Sequence, residues 1–172
     1  SFLYPSWENT RHPFGSLTIK DGKFYGMVYS GGISGNGVIF KWDPSEYNLI
    51  KEYDFNTIAR GYLFGSLVQS NGKFYGLNIK GQSRYSIIEW DPATNTYVQR
   101  TDISIPHIDG GPQGSLNYSD GYFYATVGYQ GYVMKWDPIT KIVKFTGNLA
   151  ESLTPALGKF YGMYSTFIFE WD

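Results

Sequence analysis

Three short motifs return in the same order along the chain, and this repetition limits its folding options more than any other feature. Gly15-Ser16-Leu17 recurs as Gly65-Ser66-Leu67 and Gly114-Ser115-Leu116, then more weakly as Glu151-Ser152-Leu153. Gly22-Lys23-Phe24-Tyr25-Gly26 recurs as Gly72-Lys73-Phe74-Tyr75-Gly76, Gly121-Tyr122-Phe123-Tyr124-Ala125 and Gly158-Lys159-Phe160-Tyr161-Gly162. Lys41-Trp42-Asp43-Pro44 recurs as Glu89-Trp90-Asp91-Pro92 and Lys135-Trp136-Asp137-Pro138, and Glu170-Trp171-Asp172 is the fourth copy. A chain built this way repeats one small unit, and each unit must bury its apolar side against the next.

The unit reads as β-structure. Leu17-Thr18-Ile19, Phe24-Tyr25, Val38-Ile39-Phe40 and Leu49 to Tyr53 are short, rich in β-branched and aromatic residues, and bounded by turn residues. Asp21-Gly22, Asn71-Gly72 and Asp120-Gly121 suit tight hairpin turns that need positive φ. Asp43-Pro44, Asp91-Pro92 and Asp137-Pro138 suit turns in which Asp accepts local backbone bonds and Pro pre-sets φ. No window has sustained helical periodicity. Each copy is expected to be four antiparallel strands, a to d, with tight a–b and c–d turns, a looser b–c loop and a longer d–a crossing. Such units of roughly 40–50 residues are the signature of propeller blades. The expected fold is therefore an all-β propeller of four recognisable four-stranded blades, as a closed four-blade ring or part of a larger ring, including one made by two paired chains.

The expected organisation is a single domain over 1–172, with repeats at about 15–64, 65–113, 114–150 and 151–172 and an N-terminal strand in 1–14. The N-terminal strand could complete the last copy, which lacks strand d. The Gly-to-Trp spacing falls from 20 residues (Gly22 to Trp42) to 18, 15 and 13 in successive copies, all of it in the b–c loop. In an up-and-down blade, b–c loops and d–a crossings share one face. That face is expected to vary and to carry function, while the other is repetitive scaffold.

The motifs resemble the GloVer-type tandem repeats of bacterial secreted and surface proteins. The resemblance covers essentially the whole chain and is closest over 15–44, including the glycine-rich b–c loop Ser30 to Gly37. The third and fourth copies lack that loop, and the fourth has Glu151 in place of a glycine. The resemblance implies a β-propeller, export to a secreted or cell-surface location, and often a carboxy-terminal anchoring signal in the parent protein. It brings no agreed catalytic residues.

Composition excludes several functions. Fourteen Lys+Arg against 15 Asp+Glu give a net charge of -1, so there is no basic footprint for nucleic acid or an anionic membrane. The absence of Cys removes disulfides, thiolate metal sites and a cysteine nucleophile. No apolar stretch reaches the 18 or more residues of a spanning helix, so membrane insertion is not expected. Ser1 to Asn9 lack the basic and apolar regions of a leader and the first residue is not Met, so a mature product or excised fragment is expected.

Aromatics make up 19% of the chain, which invites a sugar-stacking reading of the repeated Trp. A Trp at the same place in every copy is better read as packing, and so is the repeated Phe-Tyr pair, with a Tyr hydroxyl directed to a backbone partner. Asp43, Asp91 and Asp137 read as turn caps rather than as a carboxylate ring. His12 and His107 lie in d–a crossings without the HxH or HExxH context of a zinc site. The Ser30–Gly37 segment could form an anion nest but reads as a flexible loop, and it has no phosphate-loop ending. Asn117-Tyr118-Ser119 is a formal glycosylation sequon in an expected strand.

Residues that break the repeat are freer to serve a ligand. Arg11, Arg60, Arg84, His107, Asp109 and Tyr129 are the binding candidates, with no catalytic, metal or cofactor residues assigned. The expected function is a non-enzymatic binding or structural module that offers its loop face to a glycan or protein partner. A homodimer or larger assembly through open blade edges is also anticipated. The alternatives are a propeller-based glycan-active hydrolase or lyase, and an architectural subunit of a surface assembly.

Overall fold

The computed structural model describes residues 12–55, 61–81, 84–104, 110–148, 152–164 and 167–171. Among them there are strands and turns but no helix. The chain forms four successive antiparallel sheets, each a simple meander. The first holds β1 (Thr18–Lys20), β2 (Lys23–Val28), β3 (Val38–Asp43) and β4 (Asn48–Asp54). The second holds β5 (Tyr62–Ser70), β6 (Lys73–Gly81), β7 (Arg84–Asp91) and β8 (Thr96–Ser104). The third holds β9 (Asn117–Ser119), β10 (Tyr122–Val127), β11 (Tyr132–Trp136) and β12 (Val143–Asn148). The fourth holds β13 (Ser152–Ala156), β14 (Lys159–Tyr164) and β15 (Phe167–Trp171).

The fourth sheet is three-stranded among the described residues, as expected of a last copy that lacks strand d. One detail differs from the sequence expectation. The second sheet starts ahead of its motif: β5 begins at Tyr62, and its pairing with β6 slips between Phe64 and Val68, so that Gly65-Ser66-Leu67 stands off the ladder. The expected N-terminal strand falls largely on residues 1–11, outside the described residues.

The turns follow local chemistry. Asp21, Asn71 and Asp120 have φ of 52°, 50° and 49°, and the following glycines are also positive, as a twisted two-residue hairpin requires. Leu157-Gly158 makes the same turn in the fourth sheet with φ of 52° and 75°, although Leu tolerates that region poorly. At the other tight turn the carboxylate before Pro caps the backbone. Asp43 accepts from the Ser45 N–H at 3.0 Å, Asp91 from Ala93 at 2.9 Å and Asp137 from Ile139 at 2.8 Å.

The sheets bury their faces on one another. β1 and β2 pack on β5, β5 on β9, and β9 and β10 on β13. Three apolar layers fill the boundaries. Met27, Ile39 and Phe55 meet Leu67 and Ile88 in the first, Leu77 and Ile87 meet Leu116 and Met134 in the second, and Val133 meets Leu153 in the third. One aromatic device recurs in each layer. Phe and Trp are direct cross-strand partners, at Phe74↔Trp90, Phe123↔Trp136 and Phe160↔Trp171. The Tyr of the preceding sheet packs against that pair. Tyr25 lies 4.6 Å from Phe74 and 6.1 Å from Trp90, Tyr75 lies 4.4 and 6.3 Å from Phe123 and Trp136, and Tyr124 lies 4.4 and 5.8 Å from Phe160 and Trp171. These offset geometries each contribute roughly 0.5–1.5 kcal/mol beyond area burial.

The small residues of the motifs mark close approaches. A Cβ on Gly15 would lie 2.3 Å from the Gly65 carbonyl oxygen, and one on Gly76 would lie 3.0 Å from Met27 of the preceding sheet. Beside these glycines the serines form a ladder in which two N–H bonds run toward the later sheet and the Ser115 hydroxyl donates back to Ser66 Oγ at 3.2 Å. Ser16 N–H donates to Ser66 Oγ at 2.7 Å, and Ser66 N–H donates to Ser115 Oγ at 3.0 Å.

The Tyr hydroxyl in the second sheet differs from expectation. Tyr75 donates to the Glu89 carboxylate rather than to backbone. Glu89 is buried, and it also takes a two-pronged bond from Arg100 (both contacts 2.6 Å) and one from Lys73 at 2.7 Å. Burial pushes the Glu89 carboxyl up, but these donors outweigh it and hold it down at about 2.

Candidate functional site

In each meander the ends of the strands away from the tight turns lie together at one end of the sheet. Exposed aromatic rings collect there between the first and second sheets. Tyr29 follows directly on β2, and Tyr62 opens β5. Their rings stack at 4.3 Å with an interplanar angle of 3°. Phe14 meets the edge of Tyr29 at 5.4 Å and stacks with Phe64 at 6.0 Å. His12 stacks on Phe14 at 5.7 Å and 12°. Phe14 is 51% exposed and Tyr62 44%, and His12 is exposed too, so the cluster keeps a ring surface open to solvent.

Local backbone chemistry holds this cluster. The Tyr29 N–H donates to the His12 carbonyl at 3.1 Å, tying the N-terminal stretch to the end of β2. His12 has φ of 60°, a left-handed turn that brings its ring back over Phe14. Gly61, at φ 146°, lets the chain pass so close to Asn78 that a Cβ would sit 2.0 Å from its side-chain oxygen; Tyr62 follows directly. Partial burial, with Tyr62 as the second cause, raises the Tyr29 hydroxyl above its ordinary pKa of 10.0.

The neighbouring b–c loop is braced from inside. Its glycines adopt positive φ at Gly31, Gly32, Gly35 and Gly37. The Ile33 N–H donates to Asp54 Oδ2 at 3.1 Å, and Lys51 pairs with the same oxygen at 2.6 Å. In the segment weighed from the sequence as an anion nest, the Ile33 N–H thus has a carboxylate of this chain as its acceptor, while the Gly35 and Gly37 N–H groups donate to backbone carbonyls.

Of the six sequence-predicted binding residues, Arg11, Arg60, His107 and Asp109 lie outside the described residues. Arg84 is exposed at the first position of β7, and Tyr129 is 79% exposed in the β10–β11 turn. Both stand at the loop end of their sheets. Gly110 adjoins Tyr129: a Cβ there would lie 3.0 Å from its ring, and Gly128 N–H donates to the Gly111 carbonyl at 2.9 Å. Gly110 and Gly111 therefore pack against the b–c turn of the third sheet. The rings the structure brings together are other residues. One sequence signal marks them: Phe immediately precedes the Gly-Ser-Leu motif at Phe14 and Phe64, whereas Gln113 holds that place in the third copy.

Among the described residues, the carboxylates whose ionisation the fold clearly shifts are all shifted downward, and Asp43 and Asp137 sit at the tight-turn end of their sheets. Hydrogen bonds from the Ser45 hydroxyl and then Lys23 hold Asp43 at about 2. Asp137 is lowered by Thr140 and the Ile139 N–H. Among the described residues, no group of three His, Asp or Glu is placed to hold a metal ion, and no helix is long and apolar enough to cross a membrane. No family model matches the chain, and no curated protein matches it.

Proposed function

We propose that the four sheets are blades of a β-propeller and that the protein is a non-enzymatic binding module, secreted or displayed at a bacterial cell surface. The propeller reading draws on the meander in each sheet and on the packing of first strands, β1 on β5 and β5 on β9. The resemblance to GloVer-type repeats supports export. The observation that carries the binding reading is the open aromatic cluster of His12, Phe14, Tyr29, Tyr62 and Phe64 on the loop face.

Rings fixed by stacking lose little freedom when a partner docks, and exposed aromatic surface of this kind marks interaction sites. A flat ring suits the C–H face of a sugar, and the neighbouring hydroxyls of Tyr29 and Tyr62 supply polar contacts. A glycan is the partner this chemistry fits best, with a protein segment next. A glycosidase would need one carboxylic acid with a raised pKa opposite a second carboxylate. The shifts that the fold produces at Asp43, Glu89 and Asp137 run the other way.

The test is a screen of the purified chain against β-linked gluco-, xylo- and chito-oligosaccharides and immobilised surface proteins, run beside a reducing-end assay on the same sugars. Binding without product release is expected. Product release, or a blank binding screen, would contradict the proposal.

A further inference from the structure

The three sheet–sheet boundaries share one construction, and the two outermost faces carry its unused halves. On the face each sheet turns toward its successor, the position two residues after the Phe-Tyr tyrosine is buried at Met27, Leu77 and Thr126. The equivalent Met163 in the fourth sheet is 56% exposed. The position three residues before each motif Trp behaves alike: Ile39, Ile87 and Val133 are buried, whereas Ile168 is 79% exposed. Met163 and Ile168 are cross-strand partners, so they form one apolar patch on one face.

The opposite face of the first sheet shows the reverse. The motif leucines Leu67, Leu116 and Leu153 are buried against the preceding sheet, but Leu17 is 46% exposed. Phe24 and Trp42 stand beside it as a cross-strand pair 5.1 Å apart. The three pairs that receive a tyrosine stand 5.2–5.6 Å apart, so this fourth receptor is already formed. The N–H bonds of the serine ladder run in the same direction, from Ser16 to the Ser66 hydroxyl and from Ser66 to that of Ser115.

We infer that the Met163–Ile168 face of one copy docks on the Leu17–Phe24–Trp42 face of a second copy, repeating the internal boundary, and that two copies close head to tail into one ring. The occupant is a second copy because the faces match each other: each is the missing half of a boundary this chain already makes three times. Two unlike faces on one subunit give a heterologous contact, which closes into a ring or runs on as a fibre. Closure by two copies makes eight sheets, within the range of about four to eight blades that propellers use.

The experiment is sedimentation equilibrium on the 172-residue chain across a dilution series. The expected mass is twice the chain's 19.5 kDa. Met163→Arg and Leu17→Arg each place a charge on one exposed half, and each is expected to sediment as a monomer with an unchanged circular dichroism spectrum. Mixing the two variants restores one intact boundary, between the Met163–Ile168 face of the Leu17→Arg chain and the Leu17 face of the Met163→Arg chain, and a heterodimer is expected. A monomeric wild type, which includes a chain closed on itself, would overturn the inference. So would an open polymer, or a mixture that stays monomeric. The wild-type measurement needs no variant to fold.

Discussion

The Tyr75 ring lies 4.4 Å from Phe123 across the boundary between the second and third sheets, while its hydroxyl donates to Glu89 within its own sheet. One side chain thus serves packing with its ring and a buried charge network with its oxygen. Tyr75→Phe keeps the ring and removes one donor to a buried carboxylate, so a loss of about 1–2 kcal/mol is expected. Phe123→Ala removes the ring face that Tyr75 packs on, and a loss of about 3–5 kcal/mol is expected. Urea unfolding monitored by tryptophan fluorescence separates the two.

Acid should weaken the fold through Glu89. Its carboxyl sits at about 2 in the folded protein against an ordinary value of 4.5. A group depressed by folding stabilises above its unfolded pKa, and that contribution is lost as pH falls through the folded one. Stability is therefore expected to fall between about pH 4.5 and 2, with Asp43 adding over about 3.8 to 2. Glu89→Gln should be less stable at neutral pH and should show a shallower slope in that window. An unchanged slope in thermal melts at stepped pH would contradict the assignment.

The glycines should not be equivalent. Gly22 has φ 71° but open space around it, so Gly22→Ala should cost about 1 kcal/mol from backbone strain. Gly15→Ala should cost more, at about 1–3 kcal/mol, because its Cβ would meet the Gly65 carbonyl backbone, which cannot swing away. Thermal denaturation of the two variants gives the order.

The glycine-rich loop should depend on a single carboxylate. Asp54→Asn keeps the size of the side chain but loses the ion pair with Lys51 and weakens the bond from Ile33 N–H. Faster limited proteolysis between Ser30 and Gly37 is expected, with little change in global unfolding.

Much of the fold is legible in the sequence because the determinants are local. Asp21-Gly22 and its counterparts state where hairpins turn, and Asp43, Asp91 and Asp137 before Pro state where the next turn is capped. The identity of the Trp and Phe-Tyr positions as packing follows from repetition alone. Missing were the early start of β5 at Tyr62 and the direction of the Tyr75 hydroxyl, since both depend on neighbours distant in sequence. The site was legible only in outline. The loop end of each meander could be inferred from spacing, but the stack of Tyr29 on Tyr62 exists only once two sheets are docked. The rule that ligand residues break the repeat also pointed away from Phe14 and Phe64, which recur in two copies and then stop.

The loop-face aromatic cluster is tested most directly by comparing the wild-type chain with a Phe14→Ala/Tyr62→Ala double variant in one titration series on the β-linked oligosaccharide panel. Both residues are about half exposed and stack on neighbouring rings, so some loss of thermal stability is expected and binding is compared well below the melting temperature of each protein. The account predicts affinity for at least one sugar class in the wild type and a loss of tenfold or more in the variant, the scale of about 1.4 kcal/mol or above that aromatic contact residues carry. Equal affinity in the two proteins would contradict it.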